Sequence, residues 1–135
     1  MIEREGEVMI ISKTKLSYNL NNDDYKNIVT IKDCLLNNLK DLNPSIYLFG
    51  SFSKGSFNVD SDYDLLVLVD YPNRTPREMQ SKKFEVTECL YDIEGLRRDF
   101  DVKLYDYNRF DYLSNETLGF EHFIIPDLID IKDWR

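Results

Sequence analysis

Five consecutive apolar residues, LLVLV at positions 65–69, constrain what this chain can become more than any other stretch. A strand that is apolar on both faces must be covered on both, so the run predicts a central strand with further layers on either side. The neighbouring segments supply those layers. Over residues 23–42, Ile28, Ile31, Leu35, Leu39 and Leu42 recur at intervals of three and four, the period of an amphipathic helix, with Asn22 or Asp23 as its N-cap. Pro44 closes that element, and the short apolar run 46–49, halted by Gly50, predicts a second buried strand.

Thr75, Pro76 and Glu78 form a capping box with proline at the first helical position. They predict a helix that carries Met79, Lys83, Val86, Leu90 and Ile93 and stops near Gly95. Residues 100–105 alternate Phe100, Val102 and Leu104 with Asp101, Lys103 and Tyr105, the pattern of a half-buried strand. The tail predicts short helices around 110–113 and 118–123 and an edge strand at 128–131. The order helix, strand, loop, strand, helix, strand, helices is that of an α/β (α+β) domain around a small sheet.

The 135 residues are 42% hydrophobic and 31% charged, which suits one domain able to bury about two thirds of its unfolded surface without a metal or disulfide staple. The polar, aperiodic IEREGEV segment makes Met9 the expected natural start, with residues 1–22 as an extension ahead of the domain. A formal net charge of −8 argues against direct nucleic-acid binding, because counterion release needs clustered Lys and Arg. No apolar run of membrane-spanning length and no signal-peptide pattern occurs, so a cytoplasmic protein without a membrane partner is expected. Cys34 and Cys89, far apart and outside any CxxC, read as buried reduced thiols. In that compartment the Asn115–Thr117 sequon has no consequence.

Chemistry concentrates between Leu48 and Asp70. Gly50 and Ser51 are followed by ten residues and then by Asp62-Tyr63-Asp64. Residues i and i+2 of a strand project from one face roughly 7 Å apart, so both carboxylates are expected to point at one spot. Their repulsion calls for a cation between them, and oxygen-only ligands favour a hard ion such as Mg²⁺. Gly50 permits a sharp turn at a strand end, and Ser51 would open a helical turn whose free N–H groups and hydroxyl can hold phosphate, with Lys54 adding charge. A phosphate cradle beside a metal-binding acid pair is what nucleotidyl transfer from a triphosphate requires. Asp101 is the best third acid. It faces away from Val102 and Leu104 on the next strand, whereas its competitor Asp99 lies beyond the strand's end.

Gly50, Ser51, Asp62 and Asp64 reproduce the GS-x10-DxD signature, and over roughly residues 28–105 the chain resembles the DNA polymerase beta-like nucleotidyltransferase superfamily. Length and element order are similar to its minimal nucleotidyltransferase (MNT) branch, the antitoxin partners of HEPN ribonuclease toxins. The resemblance implies a single nucleotidyltransferase domain with a palm-like small mixed sheet. It implies ATP as substrate, two Mg²⁺ ions, transfer of AMP onto a tyrosine hydroxyl of the cognate toxin, and a hetero-oligomer with that toxin. Gly50, Ser51, Lys54 and Ser61 would bind the nucleotide, and Asp62, Asp64 and Asp101 would hold metal and act in catalysis. Two other readings stand beside this one. The first is a small-molecule transferase of the aminoglycoside or lincosamide type, although such enzymes carry a helical substrate domain that this chain is expected to lack. The second is an antitoxin that binds without turnover.

Lys103 shares the face of Asp101, where it would hold the triphosphate or pair with that acid. Tyr63 and Tyr105 are placed to flank the nucleotide. Ser53 and Ser56 read as loop residues satisfying backbone, and His122, the one histidine, as structural. Asp60, Asp92, Asp106 and Asp111 read as solvated.

Overall fold

The LLVLV run becomes the heart of strand β2 (Tyr63–Val69), flanked by β1 (Ser45–Phe49) and β3 (Phe100–Asp106) in a computed structural model that describes residues 13–135. A short strand β4 (Ile129–Asp130) completes the sheet in the order β3-β2-β1-β4. β1 runs antiparallel to β2 and to β4, while β2 and β3 are parallel, which makes the sheet mixed. Among the described residues five α-helices accompany it: α1 (Asn22–Leu39), α2 (Ser51–Lys54), α3 (Pro76–Thr87), α4 (Tyr107–Ser114) and α5 (Phe120–Ile124). The expected start at Met9 lies outside the described residues. From Lys13 onward the segment ahead of α1 lies against the domain, with Lys13 bridging to Ile129 and Leu16 and Leu20 packed on the core.

Strand alternation sorts the core into two layers. Leu65, Val67 and Val69 join Ile46, Leu48 and Val102 beneath Ile28, Ile31, Leu35 and Leu39 of α1 and Val86 of α3. On the other face Leu66 and Leu68, with Tyr47 and Phe49, pack against Phe110, Ile124 and Leu128. The larger layer fixes the sheet. The smaller covers only part of the second face, since its β2 members begin at Leu66 and leave the start of the strand open.

Several local expectations shift. Asn21, not Asn22 or Asp23, caps α1, its side chain accepting the Asp24 amide at 2.9 Å. The α-helix ends at Leu39, a 3-10 turn covers Lys40–Leu42, and Asn43 takes a left-handed φ of 50°. The proline that follows disfavours a right-handed helical conformation at that residue. The Thr75 capping box is present, but α3 yields at Thr87 to a 3-10 turn over Glu88–Asp92 that buries Leu90. Asp106 is not solvated: it is buried, accepts the Tyr71 amide at 2.8 Å, and caps α4 through the Asn108 amide at 3.0 Å.

The cysteines also depart from expectation. Cys34 on α1 and Cys89 on the turn after α3 are half-buried and joined as a disulfide, with Cα atoms 6.6 Å apart. Packing α1 beside the end of α3 brings together two residues separated by 55 positions. Among the described residues no helix is long and apolar enough to cross a membrane.

Candidate active site

The turn from β1 and the start of β2 are paired across the sheet, and that pairing builds the site. Phe49 and Asp64 are register partners, so the backbone of Gly50 passes directly beside the Asp64 side chain. Gly50 has φ +73°, and a Cβ placed on it would lie 2.3 Å from Asp64 Oδ2. Only glycine permits both the backbone conformation and the approach. Ser51 then opens α2, a single turn in which the amides of Ser53 and Lys54 donate to the Gly50 carbonyl at 3.1 and 3.2 Å. The amides that begin a helix have no intrahelical acceptor, which leaves those of Ser51 and Phe52 for other partners.

Tyr63 is the first residue of β2, so Asp62 stands just ahead of the strand and is exposed, while Asp64 lies within it and is half-buried. The parallel register sets Asp64 against Asp101. Asp99 lies outside β3, is exposed, and serves through its carbonyl, which accepts the Tyr63 amide at 3.0 Å. Burial pushes Asp64 up to about 6, helped by the negative charges of Asp101 and Asp62 and opposed by Lys103. Lys103 Nζ lies 3.4 Å from Asp101 Oδ2. The pair reduces the charge surplus at the third acid without removing it from the second.

Other candidates are engaged elsewhere. Lys54 Nζ reaches Asp127 Oδ2 at 3.7 Å, the Ser61 hydroxyl accepts the Asn58 amide at 2.9 Å, and the Ser53 hydroxyl donates to the Asp127 carbonyl. Tyr105 keeps to the site face and donates to Glu121 Oε2 at 2.9 Å. Tyr63 does not flank this face at all. Strand alternation sends its fully buried side chain to the opposite layer, where its hydroxyl donates to Asp24 Oδ1 at 2.5 Å and accepts from Asn27 at 3.0 Å. His122 holds the Ser114 carbonyl at 3.0 Å, a structural contact.

A cavity of about 530 Å³ opens beside Tyr63, Asp24 and Arg98 rather than beside the acids. Its floor is a polar cluster that the sequence reading missed. Arg98 Nε donates to Asp24 Oδ1 at 3.0 Å, and Asp24 is 5% exposed. A signal was available, because a tyrosine between two same-face acids must point the other way, and a buried hydroxyl needs a partner.

With this geometry in hand, the sequence matches the nucleotidyltransferase domain family over residues 28–124, well over half of the chain. The chain belongs to that family. Comparison with curated proteins and with solved structures returned no match. As a nucleotidyltransferase it catalyses transfer of a nucleotidyl group, and its family generally uses a nucleoside triphosphate and a divalent metal. Among the described residues no group of three His, Cys, Asp or Glu side chains that could hold a metal ion is gathered by the chain alone. In this nucleotidyltransferase Asp64 and Asp101 sit side by side on paired strands, and Asp62 is exposed just ahead of β2. Burial first, and then the charges of Asp101 and Asp62, raise Asp64, and carboxylate oxygens are the donor class that a hard divalent cation takes.

Proposed function

We propose that this nucleotidyltransferase is an Mg²⁺-dependent protein adenylyltransferase of the MNT type, moving AMP from ATP to a tyrosine hydroxyl of a HEPN-type ribonuclease toxin and thereby acting as its antitoxin. The observation that carries the reading is the approach of Gly50, Asp64 and Asp101 at one end of the sheet. In this reading Asp62, Asp64 and Asp101 hold the cation, which when bound offsets phosphate charge and lowers the pKa of the attacking hydroxyl. Gly50 and Ser51 hold the triphosphate, with Lys54 and Ser61 at the margin of the loop. The tyrosine oxygen forms its bond to the α-phosphorus as the bond to the β-phosphate oxygen breaks. Pyrophosphate leaves, and Asp101 is placed to take the tyrosine proton.

Two surface properties support a protein acceptor. The net charge of −8 suits a basic partner. Beside the acids, Phe120 touches Phe49 edge-on and lies under Lys103, and its chain neighbours Leu118 and Phe123 are 88% and 62% exposed. Apolar residues exposed on this scale next to a polar site are a feature of docking surfaces. Incubation with labelled ATP and the neighbouring gene product should label that product, and Asp62→Ala with Asp64→Ala should abolish the label. Absence of transfer, or transfer that survives both substitutions, would refute the proposal. The Lys103–Asp101 ion pair favours one second reading, neutralisation by binding alone, in which the double variant would still silence the toxin.

A further inference from the structure

The two arms of the site meet on their hidden side at a single guanidinium. Arg98, two residues before β3, uses Nε to reach Asp24 on α1 at 3.0 Å. Its Nη1 donates to the carbonyls of Asn58 at 2.6 Å and Ser61 at 3.2 Å. Ser61 is the residue immediately ahead of Asp62. The same guanidinium lies 4.9 Å from the ring centre of Phe52, the residue immediately after Ser51. Phe52 stacks on Phe57 at 4.3 Å and leans against Tyr63 at 4.9 Å. Tyr63, between the two acids, delivers its hydroxyl to the Asp24 carboxylate that Arg98 also holds.

We propose that Asp24, Arg98 and Tyr63 are positioning residues for nucleotidyl transfer, holding Asp62 and Asp64 from the opposite face of the sheet and tying the Gly50–Ser51 turn to them through Phe52. Packing alone does not call for this arrangement. A buried ion pair is often worth no more to stability than apolar residues of the same volume, because both charges must be stripped of water. The Asp24 and Arg98 side chains are nevertheless only 8% and 15% exposed. Their bonds end on the residue before Asp62 and on the residue between Asp62 and Asp64. What the network supplies is orientation, as an outer shell of hydrogen bonds does for metal ligands.

The inference rests on the reading that these acids hold a divalent cation, and the test separates the two. Mn²⁺ binding to the full chain without nucleotide is titrated by electron paramagnetic resonance, alongside thermal unfolding, for the wild type, Tyr63→Phe, Arg98→Lys and the Asp62→Ala/Asp64→Ala control. Tyr63→Phe keeps the ring and removes only the hydroxyl. Arg98→Lys keeps the charge and loses the fork, so it stands in should the first variant fail to fold. Either variant, folded, should bind Mn²⁺ at least about tenfold more weakly, and ATP turnover should fall in kcat more than it rises in KM. Wild-type Mn²⁺ affinity in both variants would overturn the inference while leaving the cation site intact. Wild-type affinity in the alanine control would overturn the cation reading and this inference with it.

Discussion

Asp24 and Asp64 belong to opposite faces of the sheet at the same end of β2, and their electrostatics are opposite. Burial raises both. At Asp24 the hydrogen bonds from Tyr63, Asn21 and Arg98, together with the Arg98 charge, outweigh burial and bring the carboxyl below its ordinary 3.8. At Asp64 burial is reinforced by Asp101 and Asp62, and the carboxyl rises to about 6. The chain completes one carboxylate with its own donors and leaves the other to be completed from outside. On the covered face charge is spent on order, and on the open face it is left in surplus.

Removing each carboxylate should therefore move stability in opposite directions. Asp24→Ala leaves the Arg98 guanidinium largely buried without its partner, and should lower the unfolding free energy by about 3 kcal/mol. Urea titration measures this, and a loss under about 1 kcal/mol would show that the pair is dispensable. Asp64→Asn removes a charge that burial and the neighbouring acids disfavour. The rise from 3.8 to about 6 corresponds to about 3 kcal/mol at full effect. Because the site is open to solvent, a gain of about 1–2 kcal/mol is expected at neutral pH. Nucleotide transfer by this variant should fall to background. A variant that is less active and also less stable would mean that Asp64 serves the fold rather than the site.

How much of this was legible from the sequence depends on how local the signal is. The LLVLV strand, the Thr75 capping box and the alternation at 100–105 are patterns a segment carries by itself, and they appear as β2, α3 and β3. The facing of Asp64 and Asp101 followed from strand alternation together with the parallel pairing of those segments. The destination of Tyr63, the burial of Asp106 and the joining of Cys34 to Cys89 depend instead on which element packs across from which. Arg98 was invisible for the same reason. Its contacts lie 37 to 74 positions away along the chain, and nothing in its neighbourhood announces them. Asp24 was masked by its place in the first turn of α1, where an acid is expected for the helix dipole alone.

The smallest expected effect is also the most direct contrast between the two acids, and it lies in the pH dependence of stability. A group bound more tightly to its proton in the folded state favours folding at low pH. The contribution of Asp64 is thus complete below 3.8 and lost as pH rises through about 6. Asp24, whose folded value is lowered, works in reverse: its contribution is present above 3.8 and lost only as pH falls through its folded value. Between about pH 7 and about pH 5, then, Asp64 titrates and Asp24 does not, so acidification should stabilise the metal-free wild type relative to Asp64→Asn by about 1 kcal/mol. The difference between the two melting curves isolates Asp64, together with the acids coupled to it, from the other titrations in the chain. Saturating Mg²⁺ should flatten the difference, because a bound cation keeps Asp64 ionised across the same range. A wild-type slope that persists unchanged in Asp64→Asn would place the titration on another group and remove the charge surplus from the open face.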